Sequence, residues 1–189
     1  MKVLKQTLKA SAIGAITACM VFGMMDAKAE DAGTNITAQV TNTITWVETQ
    51  ALDFGEFTAL SHTADVSTIT IDPTTGAPTY GNPGSARITE ITAGDRGIFD
   101  GSGIAPSVSM TLTLPTADVT LTCGTCTGGN PTFTVPSANF TSDPAVGAVS
   151  SDAGGLVTVG VGARLTTIAT AAPYEDGAYS GAYTVSLNY

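Results

Sequence analysis

Tyr179-Ser180-Gly181-Ala182-Tyr183-Thr184-Val185-Ser186-Leu187-Asn188-Tyr189 alternates strictly. Tyr179, Gly181, Tyr183, Val185, Leu187 and Tyr189 hold the odd positions, while the even ones are small or polar. A period of two puts one set against a core and the other in water, which describes a half-buried strand. Terminal residues fray unless something ties them down. An apolar strand here is therefore expected inside a sheet, paired and covered, closing a sandwich made by the rest of the chain.

The same period recurs upstream. Ile36, Ala38, Val40, Asn42, Ile44 and Trp46 share one face of a stretch spanning 35–47, opposite Thr37, Gln39, Thr41, Thr43 and Thr45. Asn42, at an otherwise apolar position, fits a partly exposed strand. Val108, Met110, Leu112 and Leu114 alternate with Ser109, Thr111 and Thr113, and Val157, Val159, Val161, Ala163 and Leu165 alternate with Gly160, Gly162 and Arg164. Shorter strands are expected over 66–72 and 87–92, with 118–123 and 132–135 as a hairpin pair. Leu52 and Phe54 should pack, with Gly55 allowing a bulge. Pro- and Gly-rich 73–85 reads as loop, 93–97 and 100–103 as turns around Ile98 and Phe99, and 139–149 as a loose edge. No window carries helical spacing. The fold class expected is all-β, an antiparallel immunoglobulin-like sandwich of about eight or nine strands.

Residues 1–29 read as a secretion signal: Lys2, Lys5 and Lys9, an apolar run from Ala10 to Met25, and a small-x-small site at Ala27-Lys28-Ala29. That apolar run is too short and wrongly flanked to span a membrane, and no later segment approaches the needed length. A lipoprotein reading at Cys19 competes only weakly, because apolar residues continue past it. The expected location is outside the cytoplasm, from periplasm to cell surface. The mature single domain, 30–189, keeps Arg87, Arg96 and Arg164 as its cations; 15 acids against 3 bases give −12. Such a surface repels nucleic acid. With no lysine left, Schiff-base and isopeptide chemistry are excluded.

Cys123-Gly124-Thr125-Cys126 remains after the signal. A thioredoxin-like site needs a helix starting at the first cysteine, and Thr127-Gly128-Gly129-Asn130-Pro131 would break one. A zinc site needs partners that the single histidine, His62, does not supply. A small loop disulfide between strands is the expectation, with redox activity as the other reading. Asp53 and Glu56 read as exposed turn carboxylates and His62 as a loop residue. No catalytic residue, metal site or cofactor is assigned, and a non-enzyme is expected.

The order of segments resembles exported bacterial β proteins. The residues concerned are Leu52-Asp53-Phe54-Gly55, the run from Val159 to Leu165, and the close Gly177-Ala178-Tyr179-Ser180-Gly181-Ala182-Tyr183-Thr184-Val185 through Tyr189. The likeness is to spore coat protein U-like domains, to archaic chaperone–usher pilins, and most nearly to a related secreted family described only as a domain of unknown function. In such pilins the sandwich is incomplete: one subunit's N-terminal extension fills the next subunit's groove as the missing strand, a periplasmic chaperone holds the groove meanwhile, and an outer-membrane usher is the other partner implied. The resemblance implies Ile36, Ala38, Val40, Ile44 and Trp46 as donor residues, and the strand with Tyr179, Tyr183, Val185, Leu187 and Tyr189 as a flank of the acceptor groove. Strand addition gains main-chain hydrogen bonds and side-chain pockets together. One departure stands: the cysteines here are close together in mid-chain, where many such pilins have a widely spaced pair. Two functions follow as expectations, a pilin-like structural subunit that self-associates by strand exchange, or a self-complete extracellular binding and adhesion module.

Overall fold

The computed structural model describes residues 44–127 and 131–189. Its elements in chain order are β1 (Thr45–Gln50), β2 (Glu56–Leu60), β3 (Thr68–Ile71), β4 (Pro78–Gly81), β5 (Arg87–Thr92), β6 (Gly97–Ser102) and β7 (Ser109–Thr113). Then follow β8 (Val119–Cys123), β9 (Phe133–Val135), a 3-10 turn (Ser137–Asn139), β10 (Phe140–Asp143), β11 (Gly147–Ser150), β12 (Val157–Thr166), β13 (Tyr179–Ser180) and β14 (Ser186–Asn188). All the pairings are antiparallel.

The long strand β12 is the spine. Gly160 and Val161 pair with β6 and also with β10, so those two strands flank opposite edges. Thr166 pairs with both Thr68 of β3 and Thr134 of β9, which likewise take opposite edges. Beyond them the sheet continues to β1 past β6, to β8 and β13 past β9, and to β4 past β3. A three-stranded sheet, β11-β7-β14, and a two-stranded sheet, β2-β5, complete an all-β sandwich. Val159, Val161, Ala163 and Leu165 are buried, as alternation requires, in one core with Ile69, Met110, Leu112, Phe133 and Val185. On the opposite face of β12, Gly160 and Gly162 are buried too, between exposed Thr158 and Arg164. Cβ atoms at Gly160 and Gly162 would collide with the carbonyl oxygens of Pro73 and Ile71, because the chain leaving β3 crosses directly over that face.

Four expectations change. The final stretch is not one strand: β13 pairs with β8 and β14 with β7, and the residues between cross from one sheet to the other. Its inward face persists at Tyr179, Tyr183, Val185 and Leu187 but not at Tyr189, which is 55 % exposed. Where turns at 93–97 and 100–103 were expected around Ile98 and Phe99, residues 97–102 form one strand, β6, between β1 and β12 in the large sheet. Gly97 and Gly101 alternate with Phe99 on its buried face, since a Cβ at Gly97 would lie 2.8 Å from the Tyr183 hydroxyl and one at Gly101 3.2 Å from the Trp46 ring. Glycines that read as turn residues are here for close packing. The expected loop 73–85 contains β4, and 139–149 supplies two ladder strands, β10 and β11. Short segments of this kind bring the strand number to fourteen among the described residues.

Within the stretch 35–47, β1 begins at Thr45 and runs on to Gln50, antiparallel to β6, with a bulge between Glu48 and Gln50. Residues 1–29 and Ile36, Ala38 and Val40 lie outside the described residues.

Candidate binding groove

Two stretches of backbone, 52–59 and 174–181, form the walls of a groove of about 1060 Å³. The first wall is set by Gly55, whose φ of 78° turns the chain into β2. Asp53 Oδ1 accepts the Gly55 N–H at 2.9 Å, and the Asp53 backbone bridges to Asp95 at 2.9 and 2.8 Å. A positive φ and the approach of Thr92, Ala93 and Gly94 both demand glycine at that position. β2 pairs with β5 on one edge only, and among the described residues no strand pairs with its other edge. The second wall holds β13, which pairs with β8 and with no other strand among the described residues. Two strand edges therefore border one groove, each with main-chain groups able to accept a ladder.

The floor comes from β8, β9 and β12 through Leu121, Phe133, Val135 and Leu165. Phe133 is its centre. Phe57 meets it edge-on from the first wall at 5.4 Å, while Tyr174 stacks on it at 4.5 Å and Tyr179 meets it edge-on at 4.9 Å from the second. Their hydroxyls are occupied elsewhere. Tyr174 accepts from the Ile168 N–H at 2.9 Å, Tyr179 donates to the Glu175 carbonyl at 3.1 Å, and Tyr183 donates to Glu48 Oε1 at 3.1 Å. Burial pushes all three phenols above their ordinary pKa, and the Glu48 carboxylate adds to this at Tyr183. The rings thus present apolar, neutral surface to whatever occupies the groove.

Of the twelve aromatic residues in the chain, seven line this groove. Tyr179 and Tyr183 were legible from the alternation. Phe57, Phe133 and Tyr174 carried a weaker signal, the gathering of sparse aromatics in segments far apart in sequence. Val185 is buried beside the groove's end, and Leu187 packs on the core from β14. Ile44 and Trp46 pack into their own chain's core: Trp46 stacks on Phe99 at 5.6 Å and donates Nε1–H to the Val185 carbonyl at 3.1 Å. Cys123 and Cys126 stand at disulfide distance, Cα atoms 5.4 Å apart, at the end of β8.

No group of three or more metal-binding side chains occurs among the described residues. His62 Nδ1 caps a turn, accepting from the backbone N–H groups of Ala64 and Asp65 at 3.3 and 3.2 Å, and lies 3.1 Å from Asp65 Oδ2. Asp53 and Glu56 are exposed. No described helix is long and apolar enough to cross a membrane.

Residues 44–189 match a family model described as Domain of unknown function (DUF4402). The chain belongs to this family. The match begins one residue before β1 and takes in every described strand of the DUF4402 chain. Neither a curated protein nor a solved structure matches the DUF4402 chain.

Proposed function

We propose that this protein is a secreted or surface-exposed structural subunit, pilin-like and non-catalytic, that assembles by strand exchange. The observation that carries the reading is the groove lined by two strands, β2 and β13, each with an edge that no described strand pairs with, over an aromatic floor. A sandwich open in this way takes up an extended segment by main-chain pairing, with alternate apolar side chains filling its floor. The occupant we assign is the segment of a second copy that carries Ile36, Ala38 and Val40, which alternates at the required period of two. Ile44 and Trp46 drop out as donor residues because they serve their own core. A periplasmic chaperone and an outer-membrane usher are the partners this reading implies, after removal of 1–29.

The same packing of Trp46 favours the second reading, a self-complete binding module whose own N-terminal segment or another extracellular ligand occupies the groove. The two are separated by a denaturing gel of the mature chain, unboiled beside boiled, with negative-stain microscopy. A heat-sensitive ladder and thin filaments are expected, both lost on deletion of 30–43. A lone monomer band, or a ladder indifferent to that deletion, would sink strand exchange.

A further inference from the structure

We infer that the Cys123–Cys126 disulfide is a latch on the second wall of the groove, so that the groove accepts a strand only once this bond has formed. The inference rests on the strand-exchange reading for its consequence but on local geometry for its mechanism.

β13 is a two-residue strand with two ladder partners, Cys123 and Thr122. So short a pairing does not hold itself. The rest of its support comes from the disulfide-closed loop. A Cβ at Gly177 would lie 2.6 Å from Cys123 Sγ, 3.1 Å from Cys126 Sγ and 3.2 Å from Thr125 Oγ1, so the backbone there rests directly on the bridge. Cys126 Sγ lies 4.0 Å from the Asp176 carbonyl oxygen. One residue on, the Thr127 N–H and hydroxyl donate to the Glu175 carboxylate at 3.1 and 3.0 Å. Tyr179 then closes the segment on itself through its bond to the Glu175 carbonyl. Every residue from Tyr174 to Gly181 lines the groove, and 175–179 lean on 123–127. With the bridge open, Cys126 is no longer tied to the end of β8, and the wall loses its bearing.

The bridge is also within reach of an exchange partner. A Cβ at Gly124 would meet nothing within 4 Å, and Thr125 is exposed. Latching is a two-electron thiol–disulfide exchange: the Cys123 and Cys126 thiols give two electrons and two protons to an oxidant of the disulfide class, which leaves as a dithiol. Such oxidants belong to compartments outside the cytoplasm. Oxidation would therefore license assembly after export and keep the groove unready before it.

The test compares the mature chain, oxidised, with the Cys123→Ser/Cys126→Ser variant and with wild type reduced by a small dithiol and alkylated. The third sample keeps a folding defect of the variant from deciding the result. Hydrogen exchange read by mass spectrometry is expected to be about tenfold faster over 174–181 without the bridge and unchanged over 157–166, as local opening requires. The heat-sensitive ladder should disappear from the same samples. Equal exchange over 174–181 would overturn the latch, and so would an undiminished ladder from the reduced protein. Should oxidised wild type give no ladder, strand exchange itself fails and the exchange rates alone judge the latch.

Discussion

A methyl group on Gly162 would stand 2.8 Å from the Pro73 nitrogen and collide with the Ile71 carbonyl, and both obstacles are main chain. Neither can step aside as a flexible side chain would, so Gly162→Ala should cost about 3 kcal/mol, at the upper end for overpacking. At Gly124 an added Cβ meets nothing. Gly124→Ala should stay within about 0.5 kcal/mol of wild type. Urea midpoints of the two variants decide the matter, and similar midpoints would refute the packing account of the β12 glycines. The same pair shows what could be read at this scale. The sequence set Gly162 in a strand and Gly124 in a cysteine loop, but only the crossing of 71–73 over β12 shows that a methyl group has no room at Gly162.

At the scale of the element, Phe57 is the large side chain by which β2 holds the floor, with Ala59 packing beside it. Phe57 meets Phe133 at an interplanar angle of 79°, and it is only half-buried. Phe57→Ala should cost about 2 kcal/mol, less than a fully buried phenylalanine. Because it removes groove surface, it should also shorten the heat-sensitive ladder markedly at equal protein concentration. A ladder unchanged by a variant that is destabilised as expected would place the strand-accepting site elsewhere. Elements with clean alternation, β7, β12 and the pair β8–β9, were legible because inward residues are apolar at every second position. β6 was not, since two of its three buried positions hold glycine. The last strand was legible in its facing but not in its break, which arises where the chain leaves β8 for β7.

For the whole molecule, titration should squeeze stability from both ends. Asp72 Oδ1 accepts the backbone N–H groups of Thr75 and Thr74, and Asp118 accepts that of Ser137. These bonds hold both carboxyls below their ordinary pKa of 3.8. Their contribution is present above that value and fades as the pH falls through it and below. Tyr174, Tyr179 and Tyr183 are raised by burial, and Tyr80 is pushed up to about 12 by burial and its 2.7 Å bond to Glu90. A raised phenol favours the folded state fully below pH 10.0, the value an unfolded tyrosine keeps, and loses that advantage as the pH climbs beyond it. Urea midpoints should therefore fall below about pH 4 and above about pH 10, with tyrosinate absorbance from Tyr80, Tyr174, Tyr179 and Tyr183 appearing late and together with unfolding. Tyrosinate forming at Tyr174, Tyr179 or Tyr183 near pH 10 in a still-folded protein would show that the groove's rings are wet.

What the sequence by itself determined is local: alternation placed most strands and their inward faces, and a spacing of three made the Cys123–Cys126 bridge reachable. Period-two burial needs only a strand and a core, whichever strands lie beside it. What only the tertiary structure decided is who meets whom. It made β12 a spine shared by four neighbours, turned Gly97, Gly101, Gly160 and Gly162 into contact points, and left a groove between β2 and β13. Each of these joins segments distant in the chain. Their chemistry is set by approach distances between backbones, and a glycine's sequence neighbourhood carries no record of what will come to rest against it.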